Sequence, residues 1–399
     1  MTPDRRKIIA NLKVDFLGMH FPNPFMLASG PPTRTAAMIR RAFAAGWGGA
    51  VTKTILFQPT PDHQPRLQAH RNEGRNIGME NIEVLSQLSV AQWQKDLAEL
   101  KAAYPERPVW ASLAASDKDE WIRLSEILQE TGIDALELNV SCPHGMPDCG
   151  MGAFIGQNAE LTGQVVAWVK SVAKIPLIVK LTPNVTDITF VAKAAQNGGA
   201  DGLCASNSVA SLNGIDLDTL DPTPSVGGFS IYGGYSGPGI KPIALRCVAK
   251  IAKATGLPIS GLGGIDEWRD TIEFLAVGAA TVQLCTAVMW RGYGIINDLL
   301  SGLNGYLDQK GYPDIQSILG VALPKIVDFP SLPLTWRVQA QVDETCTGCL
   351  DCVTSCNDSG FQAIRGTKGK PVTIDASRCD GCGLCLMVCP QDSIRLVSR

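Results

Sequence analysis

Cys142 lies in the stretch Asn139-Val-Ser-Cys-Pro-His-Gly-Met-Pro-Asp-Cys-Gly-Met-Gly152, directly after the apolar run Ala135-Leu-Glu-Leu138. The run reads as a buried strand, and the Gly- and Pro-rich stretch behind it cannot continue regular structure. A thiol set beside Asn139, Ser141 and His144 can hold and release a proton among hydrogen-bond donors and acceptors, which is what a general acid requires. The alternative is structural, since a free Cys after a core strand commonly packs as a small hydrophobe.

A second chemistry is written far from the first. Of the 13 cysteines, eight crowd into the last 54 residues at regular spacings, while Cys142, Cys149, Cys204, Cys247 and Cys285 are scattered before them. That is a metal pattern and not a disulfide framework. Cys346-Thr-Gly-Cys349-Leu-Asp-Cys352-Val-Thr-Ser-Cys356 has the form C-x2-C-x2-C-x3-C, and Cys379-Asp-Gly-Cys382-Gly-Leu-Cys385-Leu-Met-Val-Cys389-Pro390 repeats it. Paired C-x2-C elements also occur at zinc sites. Two runs of four, however, carry the signature of bacterial-type two-cluster ferredoxins, in which the fourth Cys of each run ligates the other cluster. That rule assigns Cys346, Cys349, Cys352 and Cys389 to one 4Fe-4S cluster, and Cys379, Cys382, Cys385 and Cys356 to the second. Asn357 replaces the usual Pro after Cys356 and affects only the turn.

The elements that must position these groups follow from length and pattern. At 399 residues, 45% hydrophobic and 18% charged, the chain holds a large core and suits a barrel of roughly 250 residues or more plus a small module. A formal net charge of -3 gives no electrostatic case for nucleic acid or an anionic membrane. No run reaches about 18 consecutive apolar residues, and Arg5-Arg-Lys7 is followed by no apolar segment, so the cytoplasm is expected. Residues Leu12 to Pro24 read as a short hairpin that plugs or lids something. Eight apolar runs follow: Phe25–Ala28, Ala50–Lys53, Val109–Leu113, Ala135–Asn139, Leu177–Leu181, Gly202–Ser206, Pro258–Gly261 and Thr281–Cys285. Helical patterns lie between them, among them Thr35–Ala45, Ser89–Ala103, Lys118–Thr131, Ala159–Ala173, Ile188–Asn197 and Pro242–Thr255. Eight βα units predict an α/β chain folded as a TIM (β/α)8 barrel, where an open doubly wound sheet would show fewer strands. From about Gly311 to Gln341 the pattern weakens and prolines recur, which reads as a helical excursion and a linker. The expected domains are 1–335, the barrel, and 336–399, a ferredoxin-like domain.

Ser29, Lys53, Asn139, Lys180, Asn207 and Gly263-Gly264 each fall at or just past the C-terminal end of an expected strand. Barrel active sites are built on that face. Iron-sulfur clusters move single electrons, so the barrel needs a group that converts them to a two-electron transfer, and a flavin is the common choice. Gly261-Leu-Gly-Gly-Ile265, Cys285-Thr286 and Tyr232-Gly-Gly-Tyr-Ser-Gly-Pro-Gly239 offer backbone N–H groups for a phosphate monoester. Lys53 and Lys180 would place positive charge near a flavin ring. No G-x-G-x-x-G follows a strand, so nicotinamide must be handled on another polypeptide.

Assembled, these residues resemble the flavin barrel and C-terminal ferredoxin module of the dihydropyrimidine dehydrogenase family, from about Val14 to Arg399. The nearest form is the bacterial one, in which this part is a separate subunit; dihydroorotate dehydrogenases resemble it more distantly. The motifs are Asn-Pro-Phe-Met-Leu-Ala-Ser29, Thr52-Lys-Thr54, Asn81-Ile-Glu83, Asn139-Val-Ser-Cys-Pro-His-Gly-Met146, Lys180-Leu-Thr-Pro-Asn-Val-Thr-Asp187, Tyr232-Gly-Gly-Tyr-Ser-Gly237, Gly263-Gly-Ile-Asp266 and Cys356-Asn-Asp-Ser-Gly360. The resemblance implies FMN held by Ser29, Lys53, Thr54, Lys180, Gly237, Gly263, Gly264, Cys285 and Thr286. It implies a pyrimidine bound by Asn81, Asn139, Ser141, Asn207 and Ser208, with Cys142 as the acid. Three departures stand out: Ser208 where the family often has Thr, Asp148-Cys149 in the Cys142 loop, and the segment His63–Met79. The expected activity is reduction of uracil or thymine at the 5,6 double bond, in a hetero-oligomer whose FAD- and NAD(P)-binding flavoprotein subunit delivers the electrons.

Overall fold

The computed structural model describes residues 10–59, 61–143, 150–359 and 361–399. His144, Asp148 and Cys149 of the Cys142 loop, Gly360 and the basic Arg5-Arg-Lys7 lie outside the described residues. The chain divides into two compact units, Met1–Lys325 and Ile326–Arg399.

In the first unit eight short strands close a barrel in strict chain order: Phe25–Leu27, Gly49–Val51, Val109–Leu113, Ala135–Asn139, Leu177–Lys180, Gly202–Ala205, Ile259–Leu262 and Ala279–Leu284. All neighbours pair in parallel, and the last strand closes on the first through Val282 opposite Phe25. The middle strands are buried at every position, as a parallel sheet covered by helices demands. These are the eight expected runs.

The helices between the strands start where the sequence supplies a cap. Side chains of Thr35, Ser89, Asp117, Asn158 and Asp187 each accept a backbone N–H of the first turn. The hairpin Val14–Phe16 with Met19–Phe21 closes the end of the barrel remote from the C-terminal strand ends. Phe16 stacks on Trp110 with 5.4 Å between ring centroids, and Trp110 Nε1 donates to Met19 Sδ at 3.3 Å. It is therefore a plug and not a lid.

A four-stranded antiparallel sheet belongs instead to the opposite face. Its order is Val209–Ser211, Gly233–Ser236, Arg75–Asn81, Leu67–Asn72. This corrects the reading of Tyr232–Gly239 as one glycine-rich phosphate loop, since Gly233–Ser236 is a strand. Its glycines serve close packing: a β-carbon on Gly234 would sit 2.5 Å from Ser208 Oγ, and one on Gly233 2.6 Å from Glu80 Cγ. The stretch after Gly311 is not a helical excursion either. The helix Ile295–Lys310 precedes it, and only 3-10 turns at Ile315–Ile318, Leu323–Lys325 and Phe329–Ser331 follow, where prolines remove backbone donors.

The second unit is small and repeats itself. Val338–Val342 pairs antiparallel with Ile394–Ser398, Ile364–Arg365 pairs with Thr373–Ile374, and the short helices Asp351–Asp358 and Leu384–Met387 begin within the two cysteine runs, the first carrying Cys352 and Cys356 and the second Cys385. Its apolar cluster holds only Ala340, Cys352, Ile364, Val372, Cys385 and Ile394 as buried members.

Candidate active site

The C-terminal strand ends surround a cavity of about 1070 Å³, its open mouth included. Ser29, Lys53, Thr54, Asn81, Asn139, Cys142, Lys180, Asn207, Ser208, Gly237, Gly263, Gly264, Cys285 and Thr286 all line it. Ser141 does not. It is fully buried behind the wall, where its hydroxyl donates to Asn139 Oδ1 at 3.2 Å and accepts from Asn207 Nδ2 at 2.8 Å.

Ser141 is one link in a chain of polar groups around the barrel mouth. Ser29 Oγ lies 3.2 Å from Thr54 Oγ1, which lies 3.0 Å from Ser112 Oγ and accepts from Asn139 Nδ2 at 2.9 Å. Beyond Ser141 and Asn207, the Ser208 backbone N–H donates to Asn207 Oδ1 at 2.8 Å, and Asn184 Nδ2 donates to the Ser208 carbonyl at 3.1 Å. The ends of strands one to six are thus tied together. Each carboxamide is fixed by its neighbours yet keeps unused donor or acceptor capacity, since Asn carries two of each. Asn81 enters from the overlying sheet, its Nδ2 donating to the Gly234 carbonyl at 3.0 Å. Cys142 is buried in the wall, and its own carbonyl accepts the Ala153 N–H at 2.9 Å.

Two buried lysines supply the positive charge. Lys53 Nζ stands 2.9 Å from Glu83 Oε1, and Glu83 in turn is paired with Arg34 and, at 3.4 Å, Arg66. Burial lowers the Lys53 pKa, the Glu83 carboxylate opposes that, and the Arg34 charge reinforces it. Lys180 Nζ stands 3.8 Å from the fully buried Glu137. The remaining corner is backbone. Gly263 and Gly264 have φ of 115° and 81°, and a β-carbon would lie 2.8 Å from Ala244 Cβ or 2.5 Å from the Lys241 nitrogen. Only glycine fits there, which leaves peptide groups bare at the cavity wall. Gly261, by contrast, is small to admit Phe274, whose ring a β-carbon would approach to 2.6 Å. Thr286 Oγ1 donates to Ser236 Oγ at 2.9 Å. Burial pushes the Cys285 thiol up to about 12, so it stays protonated and acts as wall.

Sequence reasoning missed four polar cavity residues: Glu83, Ser206, Ser236 and Gln283. Glu83 was within reach, because it shares the Asn81-Ile-Glu83 motif and lies two residues from Asn81. Gln283 carries the subtler signal of an amide in the otherwise apolar end of a barrel strand.

The cavity fits a flavin mononucleotide on its own chemistry. Ser206 Oγ and Gln283 Oε1 are buried, line the cavity and have no hydrogen-bond partner among the described residues. Buried polar groups of that kind belong against a polar ligand. The lysines suit an electron-rich ring and the bare glycine peptides suit a phosphate.

The second unit has two cavities of its own. One is lined by Cys346, Cys349, Cys352 and Cys389, the other by Cys356, Cys379, Cys382 and Cys385. Among the described residues no group of three or more His, Cys, Asp or Glu is placed to hold a metal ion. Four thiols spread around a cavity fit an inorganic cluster better than one ion. The Ala363 N–H donates to Cys356 Sγ at 3.3 Å and the Ala340 N–H to Cys379 Sγ at 3.5 Å, as cluster thiolates require.

Comparison with known proteins gives two family matches, Dihydroorotate dehydrogenase over residues 11–307 and 4Fe-4S dicluster domain over residues 340–396. The NAD-dependent dihydropyrimidine dehydrogenase subunit PreA of Escherichia coli (strain K12) is 38% identical over 392 residues, covering 97% of this chain and 95% of its own. The chloroplastic dihydropyrimidine dehydrogenase (NADP(+)) of Arabidopsis thaliana is 38% identical over 329 residues, 78% of this chain and 77% of its own. The catalytic subunit of dihydroorotate dehydrogenase B (NAD(+)) of Pyrococcus abyssi is 38% identical over 314 residues, 78% of this chain and 99% of its own.

Proposed function

Since the chain belongs to the dihydroorotate dehydrogenase family and carries a 4Fe-4S dicluster domain, we propose that it is the catalytic chain of a dihydropyrimidine dehydrogenase. It reduces the 5,6 double bond of uracil or thymine, reversibly, with electrons from NAD(P)H. The observation that carries this reading is the cavity itself: three carboxamides, Asn81, Asn139 and Asn207, and the Cys142 thiol line one space with two lysines. The match to the Escherichia coli dihydropyrimidine dehydrogenase subunit over 97% of the chain, which takes in barrel and dicluster domain together, supports it.

Uracil presents two carbonyls and two N–H groups, and each asparagine offers both a donor and an acceptor. Asn139 and Asn207 hold the ring in one orientation because Thr54, Ser141 and Ser208 fix their amides. FMN, when bound there, would supply the hydride chemistry at ring C6, and the clusters would supply single electrons. Cys142 Sγ holds the proton delivered to C5 from the opposite face and removes it in the reverse direction. Lys53, Lys180, Ser29 and Thr54 hold the flavin ring, and Gly237, Gly263, Gly264, Cys285 and Thr286 its phosphate arm. In the second unit Cys346, Cys349, Cys352 and Cys389 hold one cluster, and Cys379, Cys382, Cys385 and Cys356 the other.

The relative in Escherichia coli is a subunit. The partner of this chain is a flavoprotein with FAD and NAD(P) sites, because no dinucleotide fingerprint is present here. Among the described residues no helix is long and apolar enough to cross a membrane. We assign the protein to the cytoplasm, where its free thiols stay reduced. We place the functional division at residues 1–335 and 336–399, past the boundary between the compact units after Lys325.

Anaerobic titration of the reduced protein with a panel of pyrimidines, following flavin absorbance, tests the reading. Uracil or thymine should reoxidise the flavin. Reoxidation by orotate alone would establish the dihydroorotate reading that the archaeal match favours, and no response to any ring would leave an electron carrier.

A further inference from the structure

A TIM-barrel interior is ordinarily filled by branched aliphatic side chains. Here the layer under the cavity holds Glu137, Cys204, Ser260, Thr281 and Gln283, all essentially buried and contributed by strands four, six, seven and eight. A carboxylate in such a place is costly unless charge and hydrogen bonds compensate it. Among the described residues Glu137 meets the Cys204 thiol, Lys180 and Gln283. Lys180 Nζ lies 3.8 Å from its Oε1, and Gln283 Nε2 lies 3.3 Å from its Oε2.

The Gln283 contact fixes a direction. An ionised carboxylate only accepts, so the amide must turn its NH₂ to Glu137. The same NH₂ is 3.2 Å from Cys204 Sγ and 3.2 Å from Ser260 Oγ, which already accepts from Thr281 Oγ1 at 2.8 Å and keeps one further lone pair. With Nε2 committed downward, Gln283 Oε1 is left on the side away from Glu137, in a residue that lines the cavity, buried and without a partner among the described residues.

We infer that Glu137 is a positioning residue for the flavin, holding the Lys180 ammonium and the Gln283 carbonyl side by side as a cation and an acceptor on the cavity floor. This rests on the FMN reading above. An isoalloxazine's pyrimidine edge carries one N–H between two carbonyls, so an acceptor beside a cationic donor matches it. Glu137 also offsets part of the Lys180 charge and so keeps the reduced, electron-rich flavin from being overstabilised.

The test is the two-electron midpoint potential of the bound flavin, with FMN affinity measured on the apoprotein by fluorescence quenching. Glu137→Gln removes the negative charge while keeping the shape, and it lets the Gln283 amide turn over. It should favour the reduced flavin by about tenfold, a rise of about 30 mV for a two-electron couple, and weaken binding of oxidised FMN. Glu137→Asp keeps the charge but draws it back by one methylene, and should give a smaller rise. Lys180→Gln should move the potential the other way, which keeps the inference testable if the Glu137 variants do not fold. An unchanged potential and flavin spectrum in a folded Glu137 variant would overturn it, as would a Lys180→Gln potential at or above that of the parent. Failure of the parent apoprotein to take up FMN would instead defeat the cofactor reading.

Discussion

The two units of this protein organise their chemistry in opposite ways. In the barrel the cavity residues run from Ala28 to Met289, and no two strands' contributions are neighbours in sequence. In the second unit the reactive groups come in two short runs, yet each cavity borrows one cysteine from the other run, Cys389 for the first and Cys356 for the second. The supporting cores differ as well. The barrel cavity stands on a continuous apolar core that includes Trp47, Trp93, Trp110 and Trp121. The second unit has six buried residues in its cluster, two of them cysteines. The barrel is therefore expected to keep its shape without its cofactor. The cysteine unit needs its inorganic cores to have an interior at all, since metal binding in so small a unit is folding energy.

Removing the iron should separate the two most sharply. Chelation under reducing conditions is expected to release about eight irons per chain and to expose the amides of 326–399 to hydrogen exchange while the barrel strands stay protected. Nucleotide-driven activity in the presence of the partner should vanish, and dye-driven turnover at the flavin should survive. Loss of protection in the barrel strands would show that the two units are not independent. Cys356→Ala and Cys389→Ala should each damage the cluster formed mainly by the other run, seen as loss of part of the electron paramagnetic resonance signal.

A change in the barrel wall should act on chemistry and leave folding intact. Cys142→Ala is expected to keep FMN and both clusters but lower turnover by roughly 100-fold or more, the usual size of a general acid's contribution. Steady-state rates with cofactor content measured on the same sample decide it. Near-normal turnover removes the assignment.

Smaller still are the losses at single carboxamides. Asn81→Ala and Asn207→Ala should each weaken pyrimidine binding by about 1 to 3 kcal/mol, because a ring carbonyl or N–H loses its partner. Flavin content should not change, and titration of the oxidised protein with uracil gives both numbers.

The smallest effect concerns the sheet over the cavity. Glu80 is fully buried in it, and burial raises its pKa against the hydrogen bond from Ser211 Oγ at 2.7 Å. A carboxyl whose folded pKa is raised costs nothing below the ordinary value near 4.5, and destabilises increasingly as pH rises from there toward the folded pKa. Glu80→Gln should therefore match the parent in thermal stability near pH 4 and gain on it toward pH 7. A gain independent of pH would mean that shape and not ionisation is responsible.

Much of this was legible in the amino-acid order. Each barrel strand is a short run bounded by turn residues, and a cap residue such as Thr35 or Asp117 announces the helix after it, because burial and capping are local demands. The site residues were legible where a motif put them at strand ends. Ser141, which the resemblance put on the pyrimidine, is absent from the cavity lining, and its hydroxyl bridges Asn139 and Asn207, a contact between separate strand ends that no local pattern announces. The sheet of Leu67–Asn72, Arg75–Asn81, Val209–Ser211 and Gly233–Ser236 was invisible because its strands come from two distant insertions and one of them is rich in glycine.

Sequence alone determined the eight βα units, the two cysteine runs and the types of side chain offered at the barrel mouth, since periodicity and ligand spacing are properties of neighbours along the chain. Tertiary structure alone decided that Thr54, Asn139, Ser141 and Asn207 form one hydrogen-bonded chain, that Glu83 meets Lys53, and that Glu137 lies beneath Lys180 and Gln283. Those partners stand on different strands and loops. Only closing the barrel, which sets the stagger between strands, brings their side chains within hydrogen-bonding or ion-pairing distance.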